Sequence, residues 1–171
     1  MELYLHSAGV LSVAGNNSSH DFLEALSVSD ETNLRCKEPD YSAYIPAMQL
    51  RRMSKAVRMG IGASKIAIEK AGNIKPDAFS VGTALGCLYD TEIFLSKMID
   101  QDEQMLTPTA FIQSTHNTVA GQIALVNNCN GHNLTFVQRG HSFEHAMINA
   151  GLYLNEHATK NILVGGIDEM T

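Results

Sequence analysis

The sequence predicts an α/β domain, a mixed or mostly parallel sheet covered by helices, and three observations carry that expectation. Leu134 to Thr171 reads as a buried strand, a tight turn, a long helix and a second buried strand, a βαβ unit. The helix within it is apolar on two faces: Phe143, Met147, Ala150 and Leu154 form one, and Ile148 and Leu152, with Ala146 and Gly151 beside them, form the other. A helix of that kind is usually sandwiched between two layers, and this chain supplies one. Finally, the segments run in the order β, α, β, α, α, β, α, β.

Composition narrows the function classes. The 171 residues fit one domain, 1–171, and 44% hydrophobic with 18% charged is ordinary for a globular fold. A net charge of −6 and no Trp argue against nucleic-acid binding, which needs clustered cations in excess. Arg51, Arg52, Lys55 and Arg58 are the one basic cluster, expected on a solvated or partner-facing edge. Cys36, Cys87 and Cys129 have neither disulfide nor zinc spacing, which fits a reducing cytoplasm. The N-terminus lacks a basic n-region, and no apolar run is long enough to cross a bilayer, so neither secretion nor membrane insertion is expected.

Taken in order, Leu3 to Val13 has strand composition and closes at Gly15 and Asn16. Ser19 or Asp21 caps a short helix, DFLEALS, and Asp30 to Ala47, with Pro39 and Pro46, is a surface excursion. Met48 to Ala71 is a helix with Gly72 as its stop; its small stripe Ala56, Gly60, Ala63 and Ala67 suits close approach to a sheet. Phe79 to Leu85 is a short buried strand, after which Asp90 or Thr91 caps a helix through Met98. A polar loop, IDQDEQMLTPTA, leads to a helix near Thr115 to Val126, opened or capped by Ser114, Thr115, His116 and Asn117. The strand Leu134 to Arg139 precedes the helix that follows Gly140.

Arg51-Arg52-Met53, SVGTALG, TPTAFIQSTHNTVAGQIAL and NILVGGIDE together resemble the N-terminal half of a beta-ketoacyl synthase, of the thiolase-like superfamily, in the family's order and over nearly the whole chain. LGCLYDTEIF and QRGHSFEHA look most like the ketosynthase-like proteins of aryl polyene and flexirubin-type pigment clusters. The resemblance implies a cysteine between the third strand and the buried helix, where the helix N-terminus favours the thiolate that takes an acyl chain from a carrier protein. It also implies two decarboxylating histidines in a C-terminal half, expected to be absent because the chain stops at Thr171, and no cofactor. Matching Phe136 to Arg139 and His145-Ala146 to the family puts Gly140 at the cysteine, which resembles a chain-length factor, the non-catalytic partner of a ketosynthase. By the same resemblance Leu106, Phe111, Thr115, Arg139, Gly140, His141 and Phe143 lie at an acyl pocket or dimer interface, and the partners are a ketosynthase subunit, in a homo- or heterodimer, and an acyl carrier protein.

Several residues admit plainer readings. Gly140 also fits a turn that needs a positive φ. His141, Glu144 and His145 match H-x-x-E-H, a zinc-hydrolase pattern, against which stands a first-turn role: His141 as a neutral donor and Glu144 satisfying helix N–H groups. Cys87, just past a strand end, is the best substitute nucleophile, but no histidine is close in sequence and a buried apolar thiol is the simpler account. Its labelling would favour a third function, an active 3-oxoacyl-[acyl-carrier-protein] synthase seen as a fragment. Ser142 is outside G-x-S-x-G, and Asp168 and Glu169 are expected to be structural.

Overall fold

A computed structural model describes residues 3–17 and 35–169. Within them a three-stranded parallel sheet has the order β2-β1-β3, with β1 Ala78–Thr83, β2 Asn133–Val137 and β3 Ile162–Gly166. The central strand is buried along its whole length because both of its faces are covered. Phe79 belongs to a core with Val57, Ile61, Val119 and Ile123, supplied by α2 (Lys55–Lys70) and α5 (Thr118–Val126). Ser80 and Gly82 point the other way, toward α6 (Ser142–Glu156): Ser80 Oγ donates to Ala146 O at 2.9 Å. At Gly82 a Cβ would come within 2.5 Å of the Ser142 backbone, so the head of α6 rests directly on the strand.

The helix α6 is sandwiched on one side only. Ser142, Ala146 and Ala150 are buried on the sheet, while Phe143, Met147, Ile148 and Leu152 are exposed, as expected of a helix for which the chain supplies one layer. β2 is less covered than the buried strand expected over Leu134 to Arg139; Leu134 and Val137 are exposed at this edge of the sheet.

Three expectations for the first half are corrected. The region Leu3 to Val13 forms no strand: only Leu11 makes an isolated bridge, to Asn16, and the segment instead spends its polar groups on α2, where Ser7 Oγ donates to Ala67 O at 2.6 Å. Gly9 lies against the α2 backbone at Ala63, so part of the small stripe receives this segment rather than a sheet; Gly60 packs on Val119 of α5. The helix expected from Met48 to Ala71 is two, α1 (Ala47–Leu50) and α2, because Ser54 leaves helical geometry and its hydroxyl caps Val57 N. Arg51, Arg52 and Met53 therefore sit on the intervening turn, with both arginines exposed. Gly72 does end α2, in the left-handed conformation at φ 73°, with Gly72 N bonded to Glu69 O and Asn73 N to Ile68 O. The short helix DFLEALS and its caps Ser19 and Asp21 lie outside the described residues.

In the second half the helix expected through Met98 is present, and a further short helix begins within the polar loop expected after it, so the two form a hairpin. α3 spans Leu88–Asp100 and α4 spans Pro108–Ser114, the latter opened by Thr107 as cap with proline at the first position. Neither Asp90 nor Thr91 caps α3. Cys87 occupies that position, and Glu169, arriving from beyond β3, accepts Tyr89 N at 3.2 Å. Thr115 ends α4 rather than beginning α5, and Ser114 and Thr115 turn their hydroxyls back to Phe111 O and Ile112 O. No helix among the described residues is long and apolar enough to cross a membrane.

Candidate functional site at the head of the central helix

Parallel pairing of β1, β2 and β3 brings the C-terminal ends of all three strands to one edge, where open α/β sheets place their ligands. β2 leaves this edge through a single 3-10 turn, Arg139–His141, and enters α6. Ser142 holds the turn closed: its Oγ lies 2.7 Å from both Thr83 O and Arg139 O and accepts Gln138 N–H at 2.8 Å. One hydroxyl proton is shared between two carbonyls, and the side chain is buried, so Ser142 is committed to the turn and unavailable as a nucleophile.

The left-handed residue of the turn is Arg139, at φ 52°, and not Gly140. A Cβ at Gly140 would meet nothing within 4 Å. Neither backbone angle nor space therefore demands glycine there, which corrects the positive-φ reading. The position is exposed at the start of a 15-residue helix whose unpaired N–H groups and dipole would favour an anion.

Around it the turn gathers four of the expected pocket or interface residues: Arg139, Gly140 and His141, all exposed, and Phe143, whose ring lies over Gly166 at the end of β3. Leu106, Phe111 and Thr115 stand on different elements, the loop before α4, α4 itself and its C-cap. Phe111 packs on Phe94 of α3, with ring centroids 5.8 Å apart.

His141, Glu144 and His145 do not converge as a ligand set. His145 Nδ1 is 2.9 Å from His141 O and its ring stacks on Phe136; among the described residues no three His, Cys, Asp or Glu side chains gather as a metal site. Glu144 lies in the first turn of α6 as expected, whereas His141 is the N-cap but makes no side-chain cap bond, and Ser142 closes the turn instead.

Cys87 is 2% exposed, and burial, reinforced by the carboxylates of Glu169 and Asp90, pushes its thiol up to about 12. It is thus protonated at neutral pH. It does share a cavity with His116, a neighbour its sequence spacing gave no sign of, but the cavity has room for no more than about one water. Asp168 Oδ1 accepts Ala84 N at 2.5 Å and Thr83 Oγ1 at 3.3 Å, so Asp168 ties the chain after β3 to the end of β1 and Glu169 ties it to the start of α3. Cys129 Sγ donates to Asp77 O at 3.4 Å, at the opposite end of the sheet.

Residues 27–171 match the family described as beta-ketoacyl synthase, N-terminal domain. The chain belongs to this family. Its solved ketosynthase relatives agree in fold. A chain from a ketosynthase in complex with its chain length factor, from Xenorhabdus doucetiae, superposes with a TM-score of 0.70 at 18% identity, over 96% of this chain and 65% of that one. A beta-ketoacyl synthase from Burkholderia phymatum gives 0.67 at 16% identity, over 98% of this chain and 47% of the other. A type II polyketide acyl-carrier protein in complex with its ketosynthase bound to the hexaketide gives 0.74 at 15%, over 98% and 50%. The chain thus spans about half to two thirds of the length of these ketosynthases and has the thiolase-like fold of their N-terminal half. Comparison with curated proteins returned no match.

Proposed function

We propose that this ketosynthase-like domain is non-catalytic in condensation and acts as a chain-length-factor-like partner, in the cytoplasm, of an active ketosynthase that builds an acyl, polyene or polyketide chain on an acyl carrier protein. One observation carries the reading: the turn at the head of α6 has the room and the helix N-terminus that suit an attacking thiolate, and holds Gly140. In this reading Gly140 replaces the nucleophile, Arg139, His141 and Phe143 surround the vacant position, and Leu106, Phe111 and Thr115 form a wall of the pocket shared with the partner subunit. Structures of a ketosynthase with its chain length factor and of a ketosynthase with a carrier protein support the choice of partners. The rival, a working 3-oxoacyl synthase, needs a thiolate at this edge. Cys87 is buried and protonated, and Cys129 is bonded at the far end of the sheet, so neither favours it.

Gly140→Cys tests the reading. The parent chain should form no acyl-enzyme with a thiol-directed acyl analogue and should not condense acyl and malonyl carrier proteins alone. Gly140→Cys should fold normally and be modified by the analogue at position 140, faster than at Cys36, Cys87 or Cys129. Condensation by the parent chain alone, or modification of its Cys87 with loss of that activity, would refute the non-catalytic assignment.

A further inference from the structure

Neither α3 nor α4 contains a buried residue, so the hairpin they form has no core of its own to fix side-chain positions. Its backbone is cross-tied by Thr91, whose Oγ1 lies 2.8 Å from Cys87 O in its own helix and 3.0 Å from Ser114 O at the end of α4. Between the side chains, the two helices meet through Phe94 on α3 and Phe111 on α4, ring planes tilted by 60°. Tilted contact is the arrangement that two aromatic quadrupoles favour, and it defines where the second ring stops. Phe111 remains 56% exposed, so one side of its ring rests on Phe94 and the rest is turned away from the hairpin.

We propose that Phe94 is a specificity-determining positioning residue: it backs the Phe111 ring and so sets the depth of the chain pocket that Phe111 closes. The inference rests on the reading of Phe111 as a pocket wall. Phe94 is the aromatic contact on which that ring rests, so a smaller residue at position 94 lets it settle back toward α3 and deepens the pocket. A larger residue pushes it outward and shortens the pocket. Ring displacement by about one carbon contact distance, roughly 3.5–4 Å, is enough to admit or exclude about one two-carbon unit.

The test uses the full chain co-purified with its ketosynthase partner, supplied with malonyl-loaded acyl carrier protein, with product lengths read by mass spectrometry. Phe94→Ala and Phe94→Leu should lengthen the mean product by about one two-carbon unit and Phe94→Trp should shorten it, with Phe111→Ala run in parallel as a longer-product control. Phe94→Leu and Phe94→Trp keep an apolar group at the contact and decide the matter if Phe94→Ala does not fold. If Phe111→Ala shifts the length and the Phe94 variants lower only the yield, the positioning role is overturned while the wall reading stands. If Phe111→Ala also leaves length unchanged, the wall reading fails and this inference falls with it.

Discussion

Two adjacent residues divide the turn between β2 and α6. Arg139 supplies the left-handed bend at φ 52°, a conformation in which an L side chain is crowded, and Gly140 supplies open space. Their substitutions should therefore run against intuition. Arg139→Gly should stabilise the fold by about 1 kcal/mol by relieving that crowding, whereas Gly140→Ala should be neutral or stabilising by up to about 1 kcal/mol. Urea denaturation of both variants checks this; marked destabilisation by Gly140→Ala would show that the glycine is required by the backbone after all. The sequence located the bend but misassigned it by one residue, because glycine is the default for positive φ and an arginine in that state has no signature. Ser142, which closes the turn with three backbone partners, was equally silent: a serine at a helix start looks the same whether it caps its own helix or clasps a neighbouring strand.

Among elements, those with a strong period or a defined stop were readable, and those made by distant partners were not. Gly72 announced the end of α2, and the unbroken burial of β1 follows from its position between two helical layers. α4 was hidden inside a polar stretch although Thr107 followed by Pro108 is a sound helix opening. The cap on α3 could not be found locally, since Glu169 lies eighty residues downstream of the N–H it accepts. At the other end of the sheet, Asp77 joins the starts of β1 and β3: Oδ1 pairs with Lys160 Nζ and Oδ2 accepts Asn161 N, each at 2.9 Å. The Asn161 N–H first, and Lys160 second, hold the Asp77 carboxyl below its ordinary value. The folded state then releases this proton more readily than the unfolded one. Its stabilisation should be complete above the unfolded carboxyl pKa, about 4, and be lost as pH falls through the lowered folded value. The stability gap between the parent chain and Asp77→Asn should accordingly narrow in acid; a gap independent of pH would remove Asp77 from the account.

For the whole molecule, the two-faced pattern of the central helix foretold that the chain would cover one side of it, although residues of both expected faces, Phe143 and Met147 as well as Ile148 and Leu152, are exposed. Ile148 and Leu152 are 61% and 63% exposed, and Phe143 and Met147 are exposed on the neighbouring face. Such patches drive association. The isolated chain should associate in a concentration-dependent way, and Ile148→Glu with Leu152→Lys, a favourable pair one helical turn apart, should reduce that association by light scattering without changing helical content. Unchanged association would place the sticky surface elsewhere. The pattern could not reveal the broken first helix or the N-terminal segment's place outside the sheet, because a hydroxyl cap and the choice of strand neighbour do not alter periodicity.

The bare α-carbon of Gly82 has one more effect. With only hydrogen between strand and helix backbone, the elevation of the bend above the sheet is fixed by a single atom. A methyl group at that spot would act as a shim under one end of the rod, tipping residues 139–143 outward together while leaving every one of their side chains intact. The outward reach of residues 139–143 is therefore gauged from beneath, by a strand residue that lies hidden under the bend.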